Sequence, residues 1–180
     1  MAAGSEQICA VYLAAPRRWE AEGLKTISTD EKTGRFADAM QALARNAPDL
    51  PLKVGQVCRQ EYEYTRHGTL CLIANLDVCE GTIVSPSIGE TRNEQDFKEH
   101  ISCTVEAAPH VKKWLFVVDN LNTHQSESLV VWVAGLEGLS MASLGAKGKS
   151  GILKSMASRA LFLQDPAHQI CFLYTPKHCS

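Results

Sequence analysis

The sequence predicts one α/β domain, a mixed sheet with helices on both faces. Three observations lead there. Trp114-Leu115-Phe116-Val117-Val118 is apolar at every position, the signature of a strand buried on both sides. Residues 60–89 hold short strand-like runs separated by the turn pairs His67-Gly68 and Glu80-Gly81, which reads as an antiparallel meander. Beyond it, helical and extended patterns alternate to the end of the chain. A three-stranded antiparallel piece followed by alternating helices and strands implies a mixed sheet covered by helices.

Taken in order, Ile8, Val11, Tyr12 and Ala15 keep helical spacing, so a short helix is expected over 6–15, stopped by Pro16. Leu24 to Thr29 reads as a strand ending at Asp30. Phe36, Ala39, Met40, Leu43, Ala44 and Ala47 follow an i, i+3, i+4, i+7 pattern and predict a helix, closed by Pro48 and Pro51. In the meander, Glu61 to Thr65, Leu70 to Val78 and Thr82 to Val84 are the three strands. Asn93 is an N-cap with Asp96 in the first turn, and Phe97, Ile101, Val105 and Ala108 form one apolar stripe before Pro109. Trp114 to Val118 is the buried strand, stopped by Asp119-Asn120. Ser126 to Leu136 is helical, with Leu129, Val130 and Val133 inward. Ser150 caps a further helix carrying Ile152, Leu153, Met156, Ala160 and Leu163, ended by Asp165-Pro166. Gln169 to Tyr174 is the last strand, closed by Pro176. The chain divides into an N-terminal linker or helix, 1–22, and a core, 23–180.

Composition narrows the function classes. With 45% apolar and 21% charged residues the chain has the balance of a globular protein. Its apolar runs are too short to span a bilayer, and residues 1–7 lack a secretory pattern, so a cytoplasmic protein with no membrane partner is expected. Seven cysteines, an odd number with no CxxC, fit inert thiols rather than a disulfide framework or a zinc ribbon. The net charge of −2 argues against strong nucleic-acid binding by this chain alone, but not against DNA held through metal ions or another domain.

Two aspartates stand out by position. Asp30 and Asp119 each follow an apolar strand at its C-terminal end, the edge of an open α/β sheet where sites gather. If the two strands are neighbours, the carboxylates converge, and paired carboxylates need a cation between them or a shared proton. Mg²⁺ or Mn²⁺ suits such an all-oxygen site. Two such ions, roughly 4 Å apart, can activate a nucleophile and stabilise a leaving oxygen in phosphoryl transfer. For either aspartate alone, a strand-end turn or a helix cap is the plainer explanation.

These segments also carry a family resemblance. Ser28-Thr29-Asp30-Glu31-Lys32-Thr33-Gly34 resembles the first acidic motif of mariner-related insertion-sequence transposases. Phe116-Val117-Val118-Asp119-Asn120-Leu121-Asn122-Thr123-His124 is similar to their second acidic motif. Tyr174-Thr175-Pro176-Lys177-His178-Cys179-Ser180 resembles the lead-in to their third, and His67-Gly68-Thr69 and Gly148-Lys149-Ser150-Gly151 also match. The resemblance implies a ribonuclease-H-like fold and a DDE or DDD metal site, with Asp30 and Asp119 as its first two acids, and 23–180 as a partial catalytic core. It implies strand cleavage at the element's ends, strand transfer by a freed 3′-hydroxyl, and a Mg²⁺ or Mn²⁺ cofactor. The implied partners are the terminal inverted repeats and target DNA, with a homodimer for the full-length protein. The third acid of that pattern would lie on a last helix beyond Ser180, and the DNA-gripping helix-turn-helix before Met1. The expected activity is therefore impaired.

Gly148-Lys149-Ser150 is no P-loop, because Ser143 occupies the first glycine position of that template; a basic turn touching phosphate through Lys147, Lys149 or Lys154 is the functional alternative. His124 can orient Asp119, contact phosphate, or simply bond within its loop. His178 can line the same site. Asn120 and Asn122 are explained by turn formation, and Arg66-His67 by a hairpin tip. Two rival readings stay open: another nuclease on the same fold, and a non-catalytic module that binds or inhibits a full-length transposase.

Overall fold

The structure is a computed structural model of the 180-residue chain. It describes residues 2–33, 41–45, 50–51, 54–55, 57–58, 64–145, 148 and 152–176. Helix α1 spans Ala2–Glu22, followed by strands β1 (Leu24–Thr33), β2 (Gln41–Arg45), β3 (Tyr64–Thr69), β4 (Cys71–Asp77) and β5 (Thr82–Gly89). Then come α2 (Glu94–Glu106), β6 (Lys113–Val118), a 3₁₀ turn (Asn122–Gln125), α3 (Glu127–Leu136), a second 3₁₀ turn (Met141–Leu144), α4 (Met156–Leu163) and β7 (Ile170–Tyr174).

Five strands form one sheet in the order β5-β4-β1-β6-β7, and β2 pairs with β3 in a separate two-stranded ladder. β4 runs antiparallel to both β1 and β5, whereas β6 runs parallel to β1 and to β7. An antiparallel meander extended by two parallel strands, in the spatial order 3-2-1-4-5 when only the strands of this sheet are numbered, is the ribonuclease-H-like arrangement.

Alternation along the strands sorts side chains between the two faces. Ile27, Ile73, Trp114, Phe116, Val118 and Phe172 point into the main core, where Phe97 and Ile101 of α2 and Leu129, Val130 and Val133 of α3 meet them. Phe116 lies between Trp114 and Phe172, with ring centroids 5.7 and 5.6 Å away. Each such fully buried apolar side chain stabilises the fold by about 1.5–3 kcal/mol relative to exposure. On the opposite face Leu24, Leu115 and Cys171 pack with Val11 of α1 and Leu173. The Tyr12 hydroxyl donates to Ser28 Oγ at 2.8 Å across that face. Helices thus cover both faces.

Several local expectations are corrected. α1 does not stop at Pro16 but runs through it to Glu22. A helix-interior proline removes one backbone bond at a cost of roughly 3 kcal/mol; burial of Ala15 and the contacts of Val11 and Tyr12 offset it. Gly23, in the left-handed region at φ 64°, then ends the helix, its N–H donating to Trp19 O. β1 does not end before Asp30: it continues to Thr33 because β4 pairs with it up to Thr33↔Cys71. Of the helix expected over 36–47, residues 41–45 are strand β2, whose backbone groups pair with β3. The apolar spacing there imitated a helix, and cross-strand hydrogen bonding overrides it. His67-Gly68 is strand rather than turn, so the meander consists of β1, β4 and β5. α4 begins at Met156 with Ser155 as its N-cap, because Leu153 and Lys154 sit at φ 60° and 62°, which no helix accommodates.

The α2 cap is a full capping box, with Asn93 accepting from the Gln95 and Asp96 N–H groups and Asp96 accepting from the Asn93 N–H. Phe36 to Met40, Ala47, Pro48, Glu61 to Glu63, Lys147, Lys149 to Gly151 and Lys177 to Ser180, and hence the readings placed on Ser150 and His178, lie outside the described residues. Among the described residues, no helix is long and apolar enough to cross a membrane, and Cys9, Cys58, Cys71, Cys79, Cys103 and Cys171 are all free.

Candidate functional site

The site lies where the parallel pair β1–β6 ends. Their register runs from Leu24↔Lys113 to Ser28↔Val117. Carried two residues further, it sets Asp30 level with Asp119 on adjacent strands, whose backbones lie about 4.8 Å apart. Asp30 is exposed on β1, and its Oδ1 accepts from the Glu31 N–H at 2.9 Å. Alternation puts it on the α1 face with Leu24 and Ser28. Asp119 follows the last residue of β6, and its side chain is 41% exposed.

Asp119 is held tightly through one oxygen. Its Oδ1 accepts from the Leu121 N–H at 3.0 Å, closing a turn, and pairs with His124 Nδ1 at 2.8 Å; the same Nδ1 also reaches the Asp119 backbone carbonyl at 3.2 Å. The His124 ring is buried, tilted against Phe97 with centroids 4.0 Å apart. Its other nitrogen, Nε2, lies 3.1 Å from Glu31 Oε1. Glu31 Oε2 in turn lies 3.5 Å from the Arg92 guanidinium. Asp119, His124, Glu31 and Arg92 therefore form one line of alternating charge across the sheet edge.

Both ring nitrogens of His124 face carboxylates, which only accept when ionised, so the ring carries both protons. Burial alone would lower its pKa; the bonds to Asp119 and Glu31 outweigh burial and push it up to about 9. Burial by itself would raise the Asp119 pKa, but its bonds from His124 and the Leu121 N–H hold it below the usual carboxylate range.

The loop between β6 and α3 is braced from three sides. The Tyr174 hydroxyl donates to His124 O at 3.0 Å, Asn120 Nδ2 donates to Thr175 O, and buried Arg159 donates through Nε to Gln125 O at 2.7 Å. Asn120 thus ties the β6 exit to the β7 exit, a task beyond turn formation.

The sequence singled out Asp30, Asp119 and His124, and all three stand at this edge. It did not single out Glu31 or Arg92. The signal for Glu31 was present: it shares strand parity with Ile27 and Thr29, so it points to the buried face, where a carboxylate needs a cationic partner. Nothing in the sequence pointed to Arg92, which reaches the site from the loop before α2. Among the described residues, no group of three or more His, Cys, Asp or Glu side chains is arranged to hold a metal ion.

The profile of a known family, DDE superfamily endonuclease, matches residues 34–180. The chain belongs to that family. No curated protein sequence matches this DDE-family chain. Among solved structures, it is similar to the Mos1 mariner paired-end complex with Mn, at 17% identity, 73% coverage of this chain, 39% of the other and a TM-score of 0.43. The Mos1 transposase paired-end complex with the left transposon end gives 14%, 72%, 38% and 0.43. The Mos1 strand transfer complex gives 12%, 73%, 37% and 0.41. The DDE-family chain thus spans about two fifths of each of those chains, and its own sheet order, rather than these likenesses, carries the fold assignment.

Proposed function

We propose that this chain is catalytic-core sequence of a metal-dependent DNA transposase that cuts a DNA strand at the ends of an insertion sequence and joins the freed 3′-hydroxyl to target DNA. The observation that carries the reading is the parallel pairing of β1 and β6 in a DDE-family chain, with Asp30 and Asp119 both two residues beyond the last paired positions.

The donor set fits a hard divalent cation. Asp30 is exposed, and among the described residues the side-chain contacts of Asp119 end on Oδ1, which leaves Oδ2 for a ligand. Mg²⁺ and Mn²⁺ accept one or two carboxylates and complete their shell with water and phosphate oxygens. Bound there, the ion would lower the pKa of an attacking water or 3′-hydroxyl and neutralise charge on the scissile phosphate. The chain's own groups do the rest: Asp30 and Asp119 hold the ion, and the 3₁₀ turn keeps Asp119 in place. No covalent protein–DNA intermediate is required. Terminal inverted repeats and target DNA are the proposed partners, and a net charge of −2 leaves the ion as the main bridge to phosphate.

The test is duplex binding by the whole chain, read by fluorescence anisotropy with and without Mn²⁺, together with strand nicking. Mn²⁺ should strengthen binding to an element-end duplex, and Asp30→Asn or Asp119→Asn should each remove that gain. Mn²⁺-independent binding, or nicking that survives both substitutions, would contradict the reading. Nicking abolished by Asp30→Asn and by Asp119→Asn would support it.

A further inference from the structure

We propose that His124 and Glu31 are positioning residues: a buried brace that turns Asp119 so that Oδ1 faces the protein and Oδ2 faces a bound divalent cation. The inference rests on the metal reading above. The two carboxylates flank one ring, Asp119 Oδ1 at 2.8 Å from Nδ1 and Glu31 Oε1 at 3.1 Å from Nε2. A ring bonded at both nitrogens cannot pivot about its own axis without breaking one bond. Phe97 covers its face, and the side chains of His124 and Glu31 are each only 2% exposed. Water therefore cannot substitute for either partner. Arg92, 3.5 Å from the far oxygen of Glu31, anchors the outer end of the brace.

Such support matters because Asp119 is the one member of the pair that leaves its strand. Asp30 is held by β1 itself, paired on that side with Ala74 of β4. Asp119 stands after Val118, the last residue of β6, and depends on side-chain bonds for its rotamer. Groups that orient a metal ligand typically change metal affinity by about 10–100-fold when removed.

Two substitutions at one position separate positioning from mere filling. Asparagine places an amide nitrogen near the Nδ1 position, and glutamine places one near the Nε2 position. His124→Asn should keep the donor to Asp119 and bind Mn²⁺ within about threefold of the parent chain. His124→Gln should keep only the contact to Glu31 and bind about tenfold more weakly. A second variant, Glu31→Leu, removes the far anchor without leaving a charge unpaired inside, and should weaken Mn²⁺ about threefold.

The measurement is Mn²⁺ binding by the whole chain, read from the free-ion electron paramagnetic resonance signal, with thermal melting of each metal-free variant as the folding control. Asp30→Asn and Asp119→Asn are run alongside. The Asn-above-Gln order at position 124 supports the brace. Equal affinities for folded His124→Asn, His124→Gln and Glu31→Leu, with binding still lost in the aspartate variants, overturn the brace and leave the metal reading standing. Aspartate variants that bind Mn²⁺ like the parent, or a parent without saturable binding, overturn both.

Discussion

Two histidines of this chain are almost equally buried, His100 at 3% exposure and His124 at 1%, yet their surroundings shift their pKa values in opposite directions. His100 lies on α2 beneath β5. Its Nδ1 meets Ser87 Oγ at 2.8 Å, and among the described residues Nε2 has no hydrogen-bond partner. Burial pushes its pKa down to about 4, against a weak pull from the Glu31 charge. His124 suffers the same burial, but Asp119 and Glu31 touch it and raise it to about 9. The difference teaches that burial does not decide where this fold keeps charge. Anions at contact distance do, and they gather at the β1–β6 edge.

The comparison can be broken first by removing the charges. His124→Leu leaves the buried Glu31 carboxylate with only the half-exposed Arg92 guanidinium, 3.5 Å away, and should cost about 3 kcal/mol in urea unfolding at neutral pH. His100→Leu loses one neutral hydrogen bond and should cost only about 1 kcal/mol. Equal losses would mean that His124 is a packing residue like His100. The next effect is coupling: adding Glu31→Leu to His124→Leu should recover about 0.5–3 kcal/mol of the summed single losses, measured as a double-mutant cycle.

The pH dependence sharpens the contrast, because the two shifts have opposite signs. His124 is raised from 6.5, so its contribution is complete below about pH 6.5 and is lost as pH rises through about 9. His100 is depressed from 6.5, so its contribution is complete above about pH 6.5 and is lost as pH falls through about 4. Urea midpoints of the metal-free chain should therefore decline on both sides of neutrality. His124→Leu should flatten the alkaline limb alone, and His100→Leu the acid limb alone. The smallest effect is expected for Ser87→Ala, about 1 kcal/mol or less, with no change in the alkaline limb.

Much of the fold was legible because burial leaves a mark on composition. The unbroken apolar run 114–118 could only be a central strand, and Asn93 with Asp96 announced the α2 start. What was not legible depended on neighbours. The extension of β1 to Thr33 comes from its antiparallel partner, which outlasts β6. Residues 41–45 carry a helix-like spacing but pair as a strand. The site followed the same division. Asp119 was visible as the acid that stops a buried strand, and Asp30 as the acid in a similar place. Glu31 was passed over because it sits beside a more conspicuous aspartate, on the other face of the same strand. Arg92 is brought in by a loop, and no local pattern encodes that.

The central claim is that Asp30 and Asp119 share one divalent cation. Crystals of the whole chain soaked in Mn²⁺ and measured at the manganese absorption edge test it most directly. The account predicts one anomalous peak within coordination distance of both carboxylates, with Asp119 Oδ1 still bonded to His124. A peak bound elsewhere, or the two carboxylates turned too far apart to touch a common ion, would contradict it.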